Sequence, residues 1–284
     1  MPLTELARYL SAERTSPIPG PQEAPFFERD GQILAHFADL ELSSRFLPVF
    51  DTASGQVHAH TAILQAISRR HGTALEPHAV FVLPSDDAEF VYLDRLVRTL
   101  HAINYLRYPG RHPERGNLLL KVHSRHVLSV PTHHGATFAA LLRLCGLRPG
   151  QITLEVDIGH GRGATHVEQA VANYKACGFR IAIHRFGRQA EDAARLVGLQ
   201  PAMQPDIVRL DSRLLESPQR LAAAVQASHA LGARTLIEDG EAQHLPQGAR
   251  ASGIDLLQAQ AVRPALADGR IEAVRQNRPV SLAA

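Results

Sequence analysis

Short apolar runs alternate with longer segments of helical period along most of this chain, and that alternation restricts the fold more than any other feature. The runs are RFLPVF (45–50), VHAHTAIL (57–64), NLLLKV (117–122), ITLEV (152–156), RIAIH (180–184), DIVRL (206–210), RTLIE (234–238) and DLLQA (255–259). Helical periodicity falls near 87–107, 135–146, 166–177, 189–199, 212–230 and 241–252. Near-continuous apolar strands are buried on both faces, which calls for a parallel sheet with helices packed outside it. Eight of them suit an α/β closed barrel of the TIM-like (β/α)8 type. The first two runs break the pattern, because only DTASGQ lies between them. That is too short for a parallel crossover, so an antiparallel hairpin is expected there and the barrel should have an antiparallel first strand.

Composition adds bounds. A chain of 284 residues, 45% hydrophobic, can bury a large core, which excludes disorder of the whole. The net charge is +2 and the basic residues are scattered, so no nucleic-acid polymer is expected as a partner. No apolar stretch reaches membrane-spanning length and no export signal is present, so no membrane is expected either. The only cysteines, Cys145 and Cys177, fall in helical segments, consistent with a reducing, cytoplasmic setting. The sixteen histidines include the pairs His58/His60 and His133/His134. His58 and His60 alternate on one strand face with no cysteine or carboxylate at ligand spacing, so they are read as metal-free. No cofactor is expected. Residues 1–28, with LTELARYL and SPIPGPQEAP, read as a helical arm and Pro-rich linker, followed by one barrel domain over 29–284. The roughly 40 residues before the barrel leave no room for a separate sensory segment, so input is expected through a partner or the barrel itself.

In such barrels chemistry collects at the carboxyl ends of the strands. The residues to read there are Thr61, Lys121, Glu155, His184, Arg185, Arg209, Glu238 and Gln258. Only two are carboxylates, whereas a metal-dependent phosphodiesterase needs several to hold two cations about 4 Å apart.

With LDRLVRTLHAINYL (93–106) and PDIVRLD (205–211), the ordered motifs over roughly residues 40–270 resemble the EAL domain, a family that hydrolyses cyclic di-GMP with Mg²⁺ or Mn²⁺. The resemblance implies a function for each position. The family's Glu-Ala-Leu reads Thr61-Ala62-Ile63, a hydroxyl in place of the first metal-ligating carboxylate, and its phosphate-contacting arginine is Gln65. The ligating asparagine is Lys121. Glu-Ile-Thr-Glu reads Glu155-Val156-Asp157-Ile158, and Asp-Asp-Phe-Gly reads His184-Arg185-Phe186-Gly187. RQAEDAARL bears no likeness to the family's following loop. The catalytic lysine is Arg209, ahead of a retained Asp211; Glu238-Asp239-Gly240-Glu241 keeps both glutamates of Glu-Gly-Val-Glu; and the late glutamine is Gln258.

Lys121, His184 and Arg185 therefore put positive or titratable groups where the family puts divalent ions, so Glu155 and Glu238 are read as ion-paired rather than metal-ligating. Arg209 is expected to pair with Glu238, Asp211 to cap the following helix, and Gly187, Gly232, Gly240 and Gly253 to serve turns and close packing. The resulting expectation is a catalytically inactive EAL-like module that binds a protein partner or a second copy in cyclic-di-GMP-related signalling such as motility or biofilm control. A non-hydrolysing cyclic-di-GMP receptor is the first alternative and a weak metal-dependent phosphodiesterase the second. The surface singled out for a partner is RQAEDAARL with the helix after Ser212, whose Leu214, Leu215, Leu221 and Val225 face either the core or a partner.

Overall fold

The computed structural model describes residues 26–109, 111, 117–158, 164–187, 203–239 and 252–259. The strands are β1 (Phe26–Arg29), β2 (Gln32–Phe37), β3 (Leu40–Asp51), β4 (Val57–Ser68), β5 (Ala74–Leu75), β6 (Leu118–Val122), β7 (Ile152–Val156), β8 (Arg180–Phe186), β9 (Ile207–Leu210), β10 (Arg234–Asp239) and β11 (Leu256–Ala259). The helices are α1 (Pro77–Val80), α2 (Asp87–Arg107), α3 (Ser124–Ser129), α4 (Ala136–Leu144), α5 (Ala164–Ala176) and α6 (Pro218–Ala230).

Eight strands close the barrel in the order β3-β11-β10-β9-β8-β7-β6-β4, with β4 returning to β3. Pairing is parallel throughout except at β3, which runs antiparallel to both β4 and β11. All eight expected runs match these strands, those at 117–122, 206–210 and 255–259 starting one residue early, and the reversed first strand is present.

The helix expected at 87–107 spans those residues. Asp86 caps it by accepting from the Glu89 N–H at 2.8 Å, and Pro109 follows its end, where no helix could continue. The single helix expected over 212–230 is instead a 3₁₀ turn (Ser212–Glu216) followed by α6. Pro218 disfavours helical geometry at Ser217 and suits the first position of a new helix, so the segment divides there. The candidates at 189–199 and most of 241–252 lie outside the described residues.

Two features were not foreseen. The sheet begins at Phe26, inside the segment read as an arm: β1 and β2 form a hairpin whose turn residues, Asp30 and Gly31, both have positive φ. Asp-Gly is a strong two-residue hairpin signal, and it was present at positions 30–31. Second, β3 and β4 are 12 residues each, long enough to run past the barrel rim. Beyond it β2 adds to β3 and β5 to β4, and a row of paired residues, Phe26–Ala35–Leu42–Ala66–Leu75, crosses five strands.

Helix α2 covers this extension, and its polar residues are paired where they are buried. Asn104 accepts from the Ile33 N–H at 2.9 Å and donates to the Ile33 carbonyl at 2.7 Å. The Ser44 hydroxyl and His101 Nδ1 are 2.8 Å apart. Asp94, Arg98 and His126 form a second buried cluster, with Arg98 Nη2 2.7 Å from Asp94. These contacts satisfy Asn104, Ser44, Asp94 and Arg98, whose burial unpaired would be costly.

Candidate functional site

Inside the barrel, Val49, Ala59, Leu119, Ala182, Ile207, Leu236 and Leu256 form one apolar layer, each from a different strand. Side chains two positions apart share a strand face, so Thr61, Lys121, His184, Arg209, Glu238 and Gln258 make up the next level towards the mouth. These six sequence-selected positions thus lie on one floor because the strand period of two places them there.

Arg209 organises this floor. Its Nε and Nη2 both donate to Glu155 Oε1, at 2.9 and 2.6 Å. Nη2 also reaches Gln258 Oε1 at 2.9 Å and Thr61 Oγ1 at 3.2 Å, while the Thr61 hydroxyl donates to Gln258 Oε1 at 2.6 Å. Nη1 lies 3.6 Å from Glu238 Oε2. One guanidinium therefore ties β9 to β4, β7, β10 and β11. Thr61, Glu155, Arg209 and Gln258 are buried, at 6, 3, 5 and 1% exposure, whereas the Glu238 side chain is 47% exposed. The expected pairing of Arg209 with Glu238 is present but secondary. Glu155, the buried carboxylate, takes the close contacts because a buried charge without a partner costs most.

The strands also set the other sequence-selected positions. Thr61 sits mid-strand rather than at a carboxyl end, since β4 continues to Ser68. Gln65 is exposed on that continuation, opposite Ser43. Lys121 is exposed and His184 half-buried; the Arg185 side chain lies outside the described residues. Asp211 caps as expected, accepting from the Arg213 N–H at 3.1 Å. Gly187 has φ +91°, and a methyl group there would collide with Leu214.

Arg45 was not singled out in the sequence. It pairs in register with Ile63, two residues above the Leu47–Thr61 pair, and so shares the mouth-facing side of the wall, exposed. Counting back by two along β3 from Val49 would have found it.

The histidines behave as core and surface groups. His60 Nδ1 lies 3.2 Å from the Tyr105 hydroxyl, and burial lowers its pKa to about 4. Among the described residues no group of three or more His, Cys, Asp or Glu is placed to hold a metal ion, and no described helix is long and apolar enough to cross a membrane.

Comparison with known proteins adds the family. The model of the EAL domain matches residues 31–262. The chain belongs to the EAL family. The fold is shared with solved EAL structures at low identity. One is the Bacillus subtilis YkuI protein in complex with substrate c-di-GMP and calcium (18% identity, 77% of this chain and 54% of that one, TM-score 0.61). Another is the Klebsiella pneumoniae BlrP1 manganese/cy-diGMP complex (19%, 77% and 54%, TM-score 0.60). A third is the Xanthomonas citri FimX EAL domain in complex with c-diGMP (17%, 77% and 85%, TM-score 0.57). The present EAL chain spans little more than half the length of the first two. No curated protein sequence matches it.

Proposed function

We propose that this EAL domain does not hydrolyse cyclic di-GMP and serves as a regulatory, protein-binding module in cyclic-di-GMP-related signalling, such as motility or biofilm control. The observation that carries the reading is the position of the Arg209 guanidinium, bonded to Glu155 and 3.6 Å from Glu238. These are the two family metal-site carboxylates left in the chain, and Arg209 offsets one of their two charges.

The residues present do not fit a pair of divalent cations. Thr61 offers a hydroxyl already committed to Gln258, and Lys121 supplies a cation at the rim. At an effective dielectric of ~20, two like unit charges 4 Å apart repel by about 4 kcal/mol, and a divalent ion doubles that. Without the metals no residue of this floor supplies the divalent charge that generates hydroxide from water.

The exposed cations Arg45 and Lys121 on the mouth wall favour one second reading, a receptor that binds cyclic di-GMP without cleaving it, since phosphates prefer such groups. The position of Gln65 weighs against it. Calorimetric titration with cyclic di-GMP, with and without Mg²⁺, separates the readings. The protein-binding module gives no saturable heat in either condition. Metal-independent binding supports the receptor, and Mg²⁺-dependent binding with linear dinucleotide formed would leave a weak phosphodiesterase.

A further inference from the structure

We infer that the segment joining β4 to α2 is a self-association surface, and that its occupant is the same segment of a second copy of this chain. The inference deepens the protein-binding reading by naming the partner. It starts from an apolar knuckle at the start of this segment's final loop. Val82 is 77% and Leu83 48% exposed, and Val82 is the most exposed large apolar side chain among the described residues.

The knuckle is held rigid from both sides. Val80 is fully buried, and the Phe81 ring packs on Phe90 and His123 with centroids 5.8 and 5.5 Å apart. The Val82 and Leu83 N–H groups donate to Ala79 and Val80, Pro84 is buried, and Ser85 donates both its N–H and its hydroxyl to Glu89 at 2.7 Å. A backbone held on both sides of two exposed aliphatic side chains lowers the ordering cost of docking them.

Charge identifies what the knuckle meets. It is flanked by exposed acids, Glu76 before it and Asp86 and Asp87 after it, of which Asp87 is paired with Arg125 at 2.8 Å. The β4–β5 turn of the same segment is its complement: Arg69, Arg70 and His71 are exposed, beside Ile67 at 45% exposure. Asp39 is the acid nearest that turn, accepting from the Ser68 hydroxyl and the Arg70 N–H. Ile67 pairs with Ala74, α1 begins two residues beyond Leu75, and α1 packs against β4. Turn and knuckle therefore belong to one rim of the molecule. A patch carrying both a basic-apolar and an acidic-apolar half is self-complementary under a two-fold axis, with each knuckle on the other copy's turn and the same contact made twice.

The surface singled out in the sequence does not supply an alternative from its apolar residues. Leu214, Leu221 and Val225 are buried in the barrel's outer core and Leu215 packs against them, while 188–196 lies outside the described residues.

Sedimentation velocity on the full chain between about 1 and 100 µM, at low and high salt, tests the inference. The expected result is a reversible dimer weakened by salt. The double variant Val82→Asp/Leu83→Asp and, separately, Arg69→Glu/Arg70→Glu should each weaken it by roughly tenfold or more, with circular dichroism unchanged. A strict monomer overturns the inference, as does a dimer indifferent to both variants. A monomer that also ignores cyclic di-GMP overturns this inference alone. A dimer that hydrolyses cyclic di-GMP overturns only the reading of the mouth.

Discussion

Replacing Arg209 with methionine removes the one cation that holds the barrel floor together. Methionine keeps most of the stem volume, so the loss is electrostatic rather than steric. Glu155, 3% exposed, loses both close donors, and Gln258 and Thr61 lose the contacts at 2.9 and 3.2 Å. Breaking a buried pair by deleting one partner costs about 3–5 kcal/mol, because the other charge is left in a medium that solvates it poorly. Glu155→Leu should cost less, since Arg209 retains Glu238 at 3.6 Å and that acid is partly hydrated. In the double variant no uncompensated buried charge remains, because Glu238 is partly hydrated, so its loss should fall short of the summed singles by about 2 kcal/mol or more. Urea denaturation of the four proteins at pH 7 measures all of these. Additive single effects, or an Arg209→Met variant within 1 kcal/mol of wild type, would refute the reasoning.

Two further outcomes follow from the packing. Burial lowers the His101 pKa to about 3, so its neutral form is favoured in the fold, with stability intact above pH 6.5 and lost as pH falls towards 3. From pH 7 to pH 5 this single group should remove about 2 kcal/mol, read as a falling thermal midpoint; a midpoint flat over that range would contradict it. Gly187→Ala combines φ +91° with a collision against Leu214 and should destabilise by about 2 kcal/mol or more, measured by denaturant midpoint, whereas a neutral substitution would show that the β8–β9 connection has room to relax.

The barrel was readable from sequence because its evidence is local. Each parallel strand is a short apolar run, and the DTASGQ spacing left β3 and β4 only the antiparallel pairing. The β1–β2 hairpin was missed because the Pro-rich stretch before it suggested a linker, although Asp30-Gly31 marked the turn. The extension of β3 and β4 beyond the rim was also hidden, since its residues alternate in burial and resemble surface strand rather than barrel wall. At the mouth, strand period brought the right positions to one floor. The preference of Arg209 for Glu155 over Glu238 depends on which acid is buried, and burial at a barrel mouth is set by strand stagger that no local pattern encodes. The same limit applied to Leu214, Leu221 and Val225, whose helical spacing served core and partner equally well until the packing was known.

The central claim concerns chemistry at the mouth, and cyclic di-GMP hydrolysis tests it directly. Purified protein incubated with cyclic di-GMP and millimolar Mg²⁺ or Mn²⁺, followed by chromatography for the linear dinucleotide, should give no product above the protein-free control, because Arg209 is bonded to Glu155 and lies 3.6 Å from Glu238. Metal-dependent product that disappears in Glu155→Gln or Glu238→Gln would contradict the account.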